Sequence, residues 1–407
     1  MSLTNKIFIA LLMGIILGSL INFSVPNLIE YILNPINMLG SMFITALKML
    51  IVPVVFFSIV TGVTNLEDTA SLGRIGGKSI FLYLFTTFIA ISIALIIANI
   101  INPGVNANFI INKEFEIKPP PPITSVIQNL IPSNPLKALS EGNMLQIIIF
   151  ALIVGITITK LQNKNKLKLK SVFLLFNELF LKMIDIIMFF APYGVFFLIL
   201  KTFISQGFSA ILELGSYFIT VILVLLIHFF ITYGTLLFFL TKVRLTYFYS
   251  KMKKTILFAF STASSAATIP ITLKTVEEEM GVDKSVASFS VPLGATINMD
   301  GTAIMQGVAT IFIANAYGIN LNISDFISVI MVATLASIGT AGVPGVGLIM
   351  LAMVLNQVGL PSEGIALIIG IDRLLDMTRT AVNVTGDATI SCVVASSEKR
   401  INNNYKN

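Results

Sequence analysis

Long apolar runs separated by short polar connections dominate the first 240 residues. Segments near 7–23, 38–63, 79–101, 144–160, 171–200 and 214–240 each read as a helix that crosses a bilayer, which needs about 20 apolar residues. No small-residue cleavage site follows the first run, and further spans do, so it reads as an uncleaved helix. From residue 254 the pattern changes. Hydropathy stays high, but two Ser/Thr/Gly-rich stretches lie between apolar arms: Phe258–Thr272 (FAFSTASSAATIPIT) and Ala333–Gly347 (ATLASIGTAGVPGVG). Irregular backbone at membrane depth is tolerated only where it is buried in protein or lines a watery cavity. Each stretch therefore predicts a re-entrant hairpin, its polar tip near the midplane.

A polar-interrupted helix follows each hairpin. Asn298 follows Ser265 at nearly the offset by which Asp376 follows Thr340. Paired interruptions of this kind mark a transporter site between inverted repeats. The sharpest signal is helical phase in 371–390 (IDRLLDMTRTAVNVTGDATI). At about 100° per residue, Asp372, Asp376, Arg379, Asn383 and Asp387 fall within an arc of roughly 80°. Each charge at the centre of a membrane helix costs about 2.5–3.5 kcal/mol, so four approach 10 kcal/mol before pairing. Pairing Asp376 with Arg379 one turn away would still leave Asp372 and Asp387 without a purpose. The stripe reads as functional.

Composition confirms the solvent. The 407 residues are 56% hydrophobic and 11% charged, where soluble domains carry about 25% charge. The net charge of +6 is a topology signal, not a nucleic-acid footprint. Lys and Arg gather in connections 61–79, 160–170 and 241–254, while 24–35 has none and 201–213 has only Lys201. The positive-inside rule then puts both termini in the cytoplasm. Pro119–Pro122 reads as a stiff external spacer. The lone Cys392 excludes an intramolecular disulfide, and the lone His228, in an apolar stretch, reads as a packed or weakly polar residue before a proton relay. Gly14 and Gly18 form a GxxxG that permits close packing but recurs by chance.

The chemistry fits a zwitterion with an extra carboxylate. The planar fork of Arg379 suits a carboxylate, and Asp376 is placed for an ammonium group. Asn298, Asp300, Asn383 and Asp387 supply oxygens for cations, as do carbonyls freed where the helix unwinds at 298–300.

GATINMDGT (Gly294–Thr302), ASIGTAGVPG (Ala336–Gly345) and DMTRTAVNVTGD (Asp376–Asp387) resemble the dicarboxylate/amino acid:cation symporters, as do MLIVPVVFFSIVTGV and PSNPLKALSEGNML upstream. The resemblance implies an all-α integral membrane protein of the elevator type, with eight transmembrane helices, two re-entrant hairpins and inverted repeats, assembled as a homotrimer in the plasma (inner) membrane. It implies scaffold helices in 1–63 and 103–200, the latter with an external loop, and a transport domain in 64–102 and 201–407. Arg379, helped by Thr302, would bind the substrate side-chain carboxylate, Asp376 the amino group, and Asn383 with Ser265 the α-carboxylate; Thr380 and Val343 would line the same site. The tip from Ser337 to Gly345 would be the gate. Sodium would bind at Gly294, Asn298, Asn383 and Asp387, at Thr296, Ser337, Ile338 and Thr340, and at Tyr83, Thr86, Thr87, Asn298 and Asp300.

The chain departs from the family pattern in three places. Only Ser264 and Ser265 remain of a longer serine run, Ala263 replaces an arginine found in some relatives, and Gln306 stands where proton-cotransporting vertebrate members have glutamate. Arg373 is a candidate substitute for the missing arginine. Arg379 and Asp376 together point to glutamate or aspartate over neutral or C4-dicarboxylate substrates, with Na⁺ as the coupling ion and H⁺ as the alternative. An intramembrane aspartyl protease using Asp300 and Asp387 is the rival class. Such a site needs two adjacent carboxyls sharing a proton, and the surrounding arginine and asparagines suit ligand binding instead.

Overall fold

The computed structural model describes residues 3–24, 29–64, 70–105, 131–206, 209–241, 243–338, 342 and 345–402. Thr340 and Val343, and the proline run at 119–122, lie outside the described residues. Helices α1 (Leu3–Ser24), α2 (Ile29–Thr64) and α3 (Ala70–Ile101) open the chain. A short α4 (Pro135–Glu141), capped by Asn134 through Lys137 N–H, leads into α5 (Met144–Thr159). Then come α6 (Asn163–Phe189), α7 (Ala191–Gln206) and α8 (Ser209–Ile227), which continues through a π-turn at His228–Thr232 into α9 (Tyr233–Leu240). Among the described residues the one pairing of extended backbone is an antiparallel bridge between Val282 and Ile401.

By length and composition, Arg74–Ile101 (hydropathy 2.6) and Leu212–Leu240 (2.4) can each cross a bilayer. The expected single span 171–200 needs correction: it is two helices, α6 and α7, meeting at Phe190 with a 54° bend. Ala191-Pro192 explains the break. Proline disfavours helical backbone in the residue before it and supplies no N–H to continue the ladder.

The first GxxxG has a definite partner. A Cβ on Gly18 would come within 2.6 Å of Phe203 Cβ, and one on Gly14 within 3.0 Å of Ile199 Cγ2, so α1 and α7 meet backbone to side chain through these glycines. Asn22 adds an Nδ2 bond to Ile204 O at 2.7 Å. Helix α2 packs on α5, α6 and α7.

Both hairpins form. In the first, α10 (Leu245–Thr262) turns into α11 (Ser265–Lys274) through Ala263, which adopts a left-handed conformation (φ 49). Ser264 caps α11 by accepting from Ala267 N at 3.2 Å. In the second, α14 (Ile323–Ala336) starts with a capping box between Asn322 and Asp325. Its return arm is α15 (Val346–Gln357), entered through Gly345 at φ 87.

The two polar-interrupted helices behave differently. Helix α12 (Lys284–Ile297) stops at Asn298 and α13 (Asp300–Ala316) resumes at Asp300, so this span is broken where the sequence places the break. Helix α16 (Ile365–Ser397) runs through its whole polar stripe without a break. Its hydroxyls bond back to carbonyls one turn earlier: Thr380 to Asp376 O, Thr385 to Ala381 O, Thr389 to Thr385 O and Ser391 to Asp387 O. Such back-bonding satisfies the side chain inside the helix without freeing the backbone. At its C-terminal end, Glu398 ties α16 to Lys78 and, at 3.5 Å, to Arg74 of α3.

Candidate functional site

Two hairpin tips, the break between α12 and α13, and the stripe of α16 converge. Ser264 Oγ donates to Gly342 O at 2.8 Å, and Ala266 N donates to the same carbonyl at 3.2 Å. The tips therefore close on each other. There is no spare room at this junction, since a Cβ on Gly342 would lie 2.7 Å from Ala295 O and 3.1 Å from Ser265 Cβ.

Arg379 is 1% exposed, which obliges it to be paired. Its Nη1 donates to Asp372 Oδ1 at 2.6 Å, and Nη2 lies 3.4 Å from Asp372 Oδ2 and 2.9 Å from Asp376 Oδ1. The other oxygen of Asp376 stands 3.5 Å from Arg373 Nη1. Gly347 adjoins the guanidinium and also faces Thr302: a Cβ on it would be 3.3 Å from Arg379 Nη2 and 3.5 Å from Thr302 Cγ2. Thr380 Oγ1 is spent on Asp376 O, as above. A narrow crevice opens onto Asp372, Arg373 and Asp376 of α16, with Phe43 of α2, Val195 of α7 and Leu348 of α15 among its apolar walls.

Deeper along α16 lies a cluster rich in oxygen. Asn298 Nδ2 donates to Asp387 Oδ1 and to Asn383 O, both at 2.8 Å, and Gly301 N donates to Asn383 Oδ1 at 2.7 Å. These bonds hold the broken strand of backbone against α16. Asn298 Oδ1 is buried with no partner. A side chain at Gly294 would collide with Asp387 Oδ1 and lie 2.7 Å from Tyr83 OH, so glycine there lets three helices approach.

Asp300 is fully buried. Its Oδ1 accepts from Thr87 Oγ1 at 2.6 Å, and its Oδ2 meets Tyr233 OH at 2.8 Å and His228 Nε2 at 3.0 Å. Thr86 and Thr87 also bond Tyr83 O. The other expected cation ligands take separate partners: Thr296 bonds Leu293 O and Ser337 bonds Thr334 O, while Ile338 is buried near the second tip.

Three participants escaped the sequence reading. His228 is buried, as its reading as a packed or weakly polar residue expects, but its partner, Asp300, was not foreseen. Tyr233 shares the same carboxylate. Asp372, seen in the stripe but given no role, holds Arg379 from two turns away. A helical spacing of 7 was the available signal for Asp372. Nothing local links His228 to a carboxylate 72 positions later.

Comparison with known proteins gives one consistent answer. The profile of the Sodium:dicarboxylate symporter family matches residues 3–397. The chain is 34% identical over 415 residues to the Proton/glutamate-aspartate symporter of Escherichia coli (strain K12), covering 98% of this chain and 93% of the relative. It is 35% identical over 406 residues to the Proton/sodium-glutamate symport protein of Bacillus caldotenax, covering 98% and 94%. Excitatory amino acid transporter 3 of Mus musculus is 33% identical over 447 residues, with 96% and 84% covered.

Proposed function

The chain belongs to the sodium:dicarboxylate symporter family, and from that premise we propose that it is a secondary active symporter importing glutamate or aspartate with Na⁺. It is a membrane transporter and not an enzyme. The observation that carries the substrate reading is the buried Arg379 beside Asp376. A guanidinium takes the side-chain carboxylate and Asp376 the ammonium group, while Ser265 and Asn383 receive the α-carboxylate. We assign Thr302 to help the guanidinium, and Thr380 and Val343 to the same site. A dicarboxylate without an amine would part Asp376 from Arg379 and leave it only the longer contact to Arg373, an unfavourable loss for a largely buried charge.

The driving force has a definite sign. An inside-negative membrane opposes entry of a net anion by about 2.3 kcal/mol per charge per 100 mV. Two or more cations per substrate reverse that sign. We assign them to Gly294, Asn298, Asn383 and Asp387, to Tyr83, Thr86, Thr87, Asn298 and Asp300, and to Thr296, Ser337, Ile338 and Thr340. The unpartnered Asn298 Oδ1 supports the first two sets. Proton coupling is the second reading, favoured by the Escherichia coli relative, a proton/glutamate-aspartate symporter.

An elevator arrangement is part of the same proposal, supported by membership of the family. Residues 1–63 and 103–200 would form the scaffold, and 64–102 with 201–407 the moving body. The plasma membrane with both termini inside rests on the family and on the basic connections, while assembly as a homotrimer is supported by α6. Lys182 and Asp185 are 70% and 64% exposed there, among Leu175, Leu179 and Ile186. Charges facing lipid are costly, and a second copy would cover them.

The test is uptake of labelled aspartate, glutamate, succinate and serine into proteoliposomes, with sodium and proton gradients imposed separately. Aspartate or glutamate uptake driven by sodium is expected. Uptake that ignores sodium and collapses with the pH gradient selects the proton reading. The gate is testable as well. Gly342→Val will force the hairpin tips apart, break both bonds to Gly342 O and raise the aspartate KM by about tenfold, the effect of one or two lost hydrogen bonds; an unchanged KM contradicts closure through this contact.

A further inference from the structure

The fork of Arg379 has two usable edges. The end edge, Nη1 with Nη2, faces both oxygens of Asp372 at 2.6 and 3.4 Å. The side edge, Nε with Nη2, is half used: Asp376 Oδ1 takes Nη2 at 2.9 Å, and Nε is buried with no partner. A guanidinium satisfies a carboxylate best when two parallel N–H groups are offered together. The side edge is the one place where an incoming carboxylate gains a contact that Asp376 does not already make.

Resting on the acidic amino-acid reading above, we propose that Asp372 is a positioning residue that keeps the end edge of Arg379, so that substrate enters by exchanging ion pairs at the side edge with Asp376. The substrate carboxylate takes Nη2 and the orphaned Nε. Asp376, released from Arg379, receives the substrate ammonium on Oδ1 and keeps Arg373 near Oδ2, 3.5 Å away before binding. No buried charge loses a partner in this exchange. A ligand with the carboxylate alone leaves Asp376 only the longer contact to Arg373, and a ligand with the ammonium alone takes Asp376 from Arg379, which keeps only Asp372. Requirement for both groups is thereby built into one arginine with two aspartates.

Asp372 is needed because Asp376, four residues along the same helix, competes for the fork. With the end edge vacated, Arg379 can turn so that both Asp376 oxygens face two of its nitrogens. Substrate must then displace a bidentate pair in place of a single contact. The crevice gives this exchange an approach, since Asp372, Arg373 and Asp376 all line it.

The experiment compares wild type, Asp372→Asn and Asp372→Glu in proteoliposomes at saturating sodium. Asp372→Asn should raise the aspartate KM by about tenfold, as expected for loss of a charge-assisted bond, a larger change than in maximal rate, and Asp372→Glu should restore most of it. An unchanged KM, or a loss confined to maximal rate that glutamate does not rescue, overturns the proposal. Structures of the wild-type protein with and without aspartate test it independently of how the variants fold. Asp372 must stay on Nη1 in both and Asp376 must leave Nη2 when aspartate binds; any other pairing overturns it. Wild type that transports neither aspartate nor glutamate would refute the substrate reading instead.

Discussion

Arg379→Gln reduces aspartate and glutamate uptake to background. Arg379 is a buried cation that faces two carboxylates, at 2.6 Å and 2.9 Å. Truncating one partner of a desolvated, hydrogen-bonded charge pair costs about 2–5 kcal/mol or more. At about 1.4 kcal/mol per decade, that is a loss of roughly 30- to 3,000-fold in substrate affinity. Glutamine offers one amide where the arginine offers a fork, and it carries no charge to meet the substrate carboxylate. Asp376 keeps Arg373 nearby, so the ammonium subsite survives in part and the loss should fall hardest on acidic substrates. Counterflow of labelled aspartate at saturating sodium measures it, with detergent-solubilised protein checked for intact assembly. Undiminished aspartate uptake in a properly assembled variant would sink the substrate assignment.

Asp300→Asn has the second large effect, on the driving ion and not on the amino acid. Both oxygens of Asp300 are engaged, by Thr87 on one side and by His228 and Tyr233 on the other, and the residue has no contact with solvent. An asparagine fills the space but removes the negative charge that a cation beside Thr87 and Tyr83 needs. Losing one coupled cation removes about 2.3 kcal/mol of driving force per 100 mV. At equilibrium that lowers accumulation by about 50-fold at 100 mV. The readout is the concentration ratio reached at a clamped potential, together with the steepness of sodium activation. A variant that matches wild type in both places the cation elsewhere.

Parts of this site were legible before any coordinates. The stripe on α16 follows from periodicity alone, because residues 3, 4 or 7 apart on a helix share a face whatever surrounds it. The break at Asn298–Met299 was legible for a related reason. Polar side chains flanked by Gly294 and Gly301, inside an otherwise apolar span, weaken a helix locally. The polar content of α16 looked similar, yet its backbone is continuous, and its Thr and Ser hydroxyls are satisfied on carbonyls of their own preceding turn. Composition does not distinguish those two outcomes; side-chain geometry does.

Contacts between distant segments were not legible. Gly14 and Gly18 looked like a chance pattern until Phe203 and Ile199 of α7 stood against them. The break at Phe190 was hidden because the apolar run continues across it, although Pro192 was the signal. His228 stood alone in an apolar stretch, and its carboxylate is contributed by a different span.

The sequence by itself determined the solvent, the helical class, the two hairpins and the face of α16 that carries the charges. Each is a local property, set by the hydropathy of a segment or by a repeat of a few residues. Tertiary structure alone decided which charges meet: that Asp372 shares Arg379 with Asp376, that Asp300 is met by Thr87, Tyr233 and His228, and that the hairpin tips close through Gly342. The reason is desolvation. A buried charge is stable only beside a partner, and which partner it finds depends on how separate helices pack.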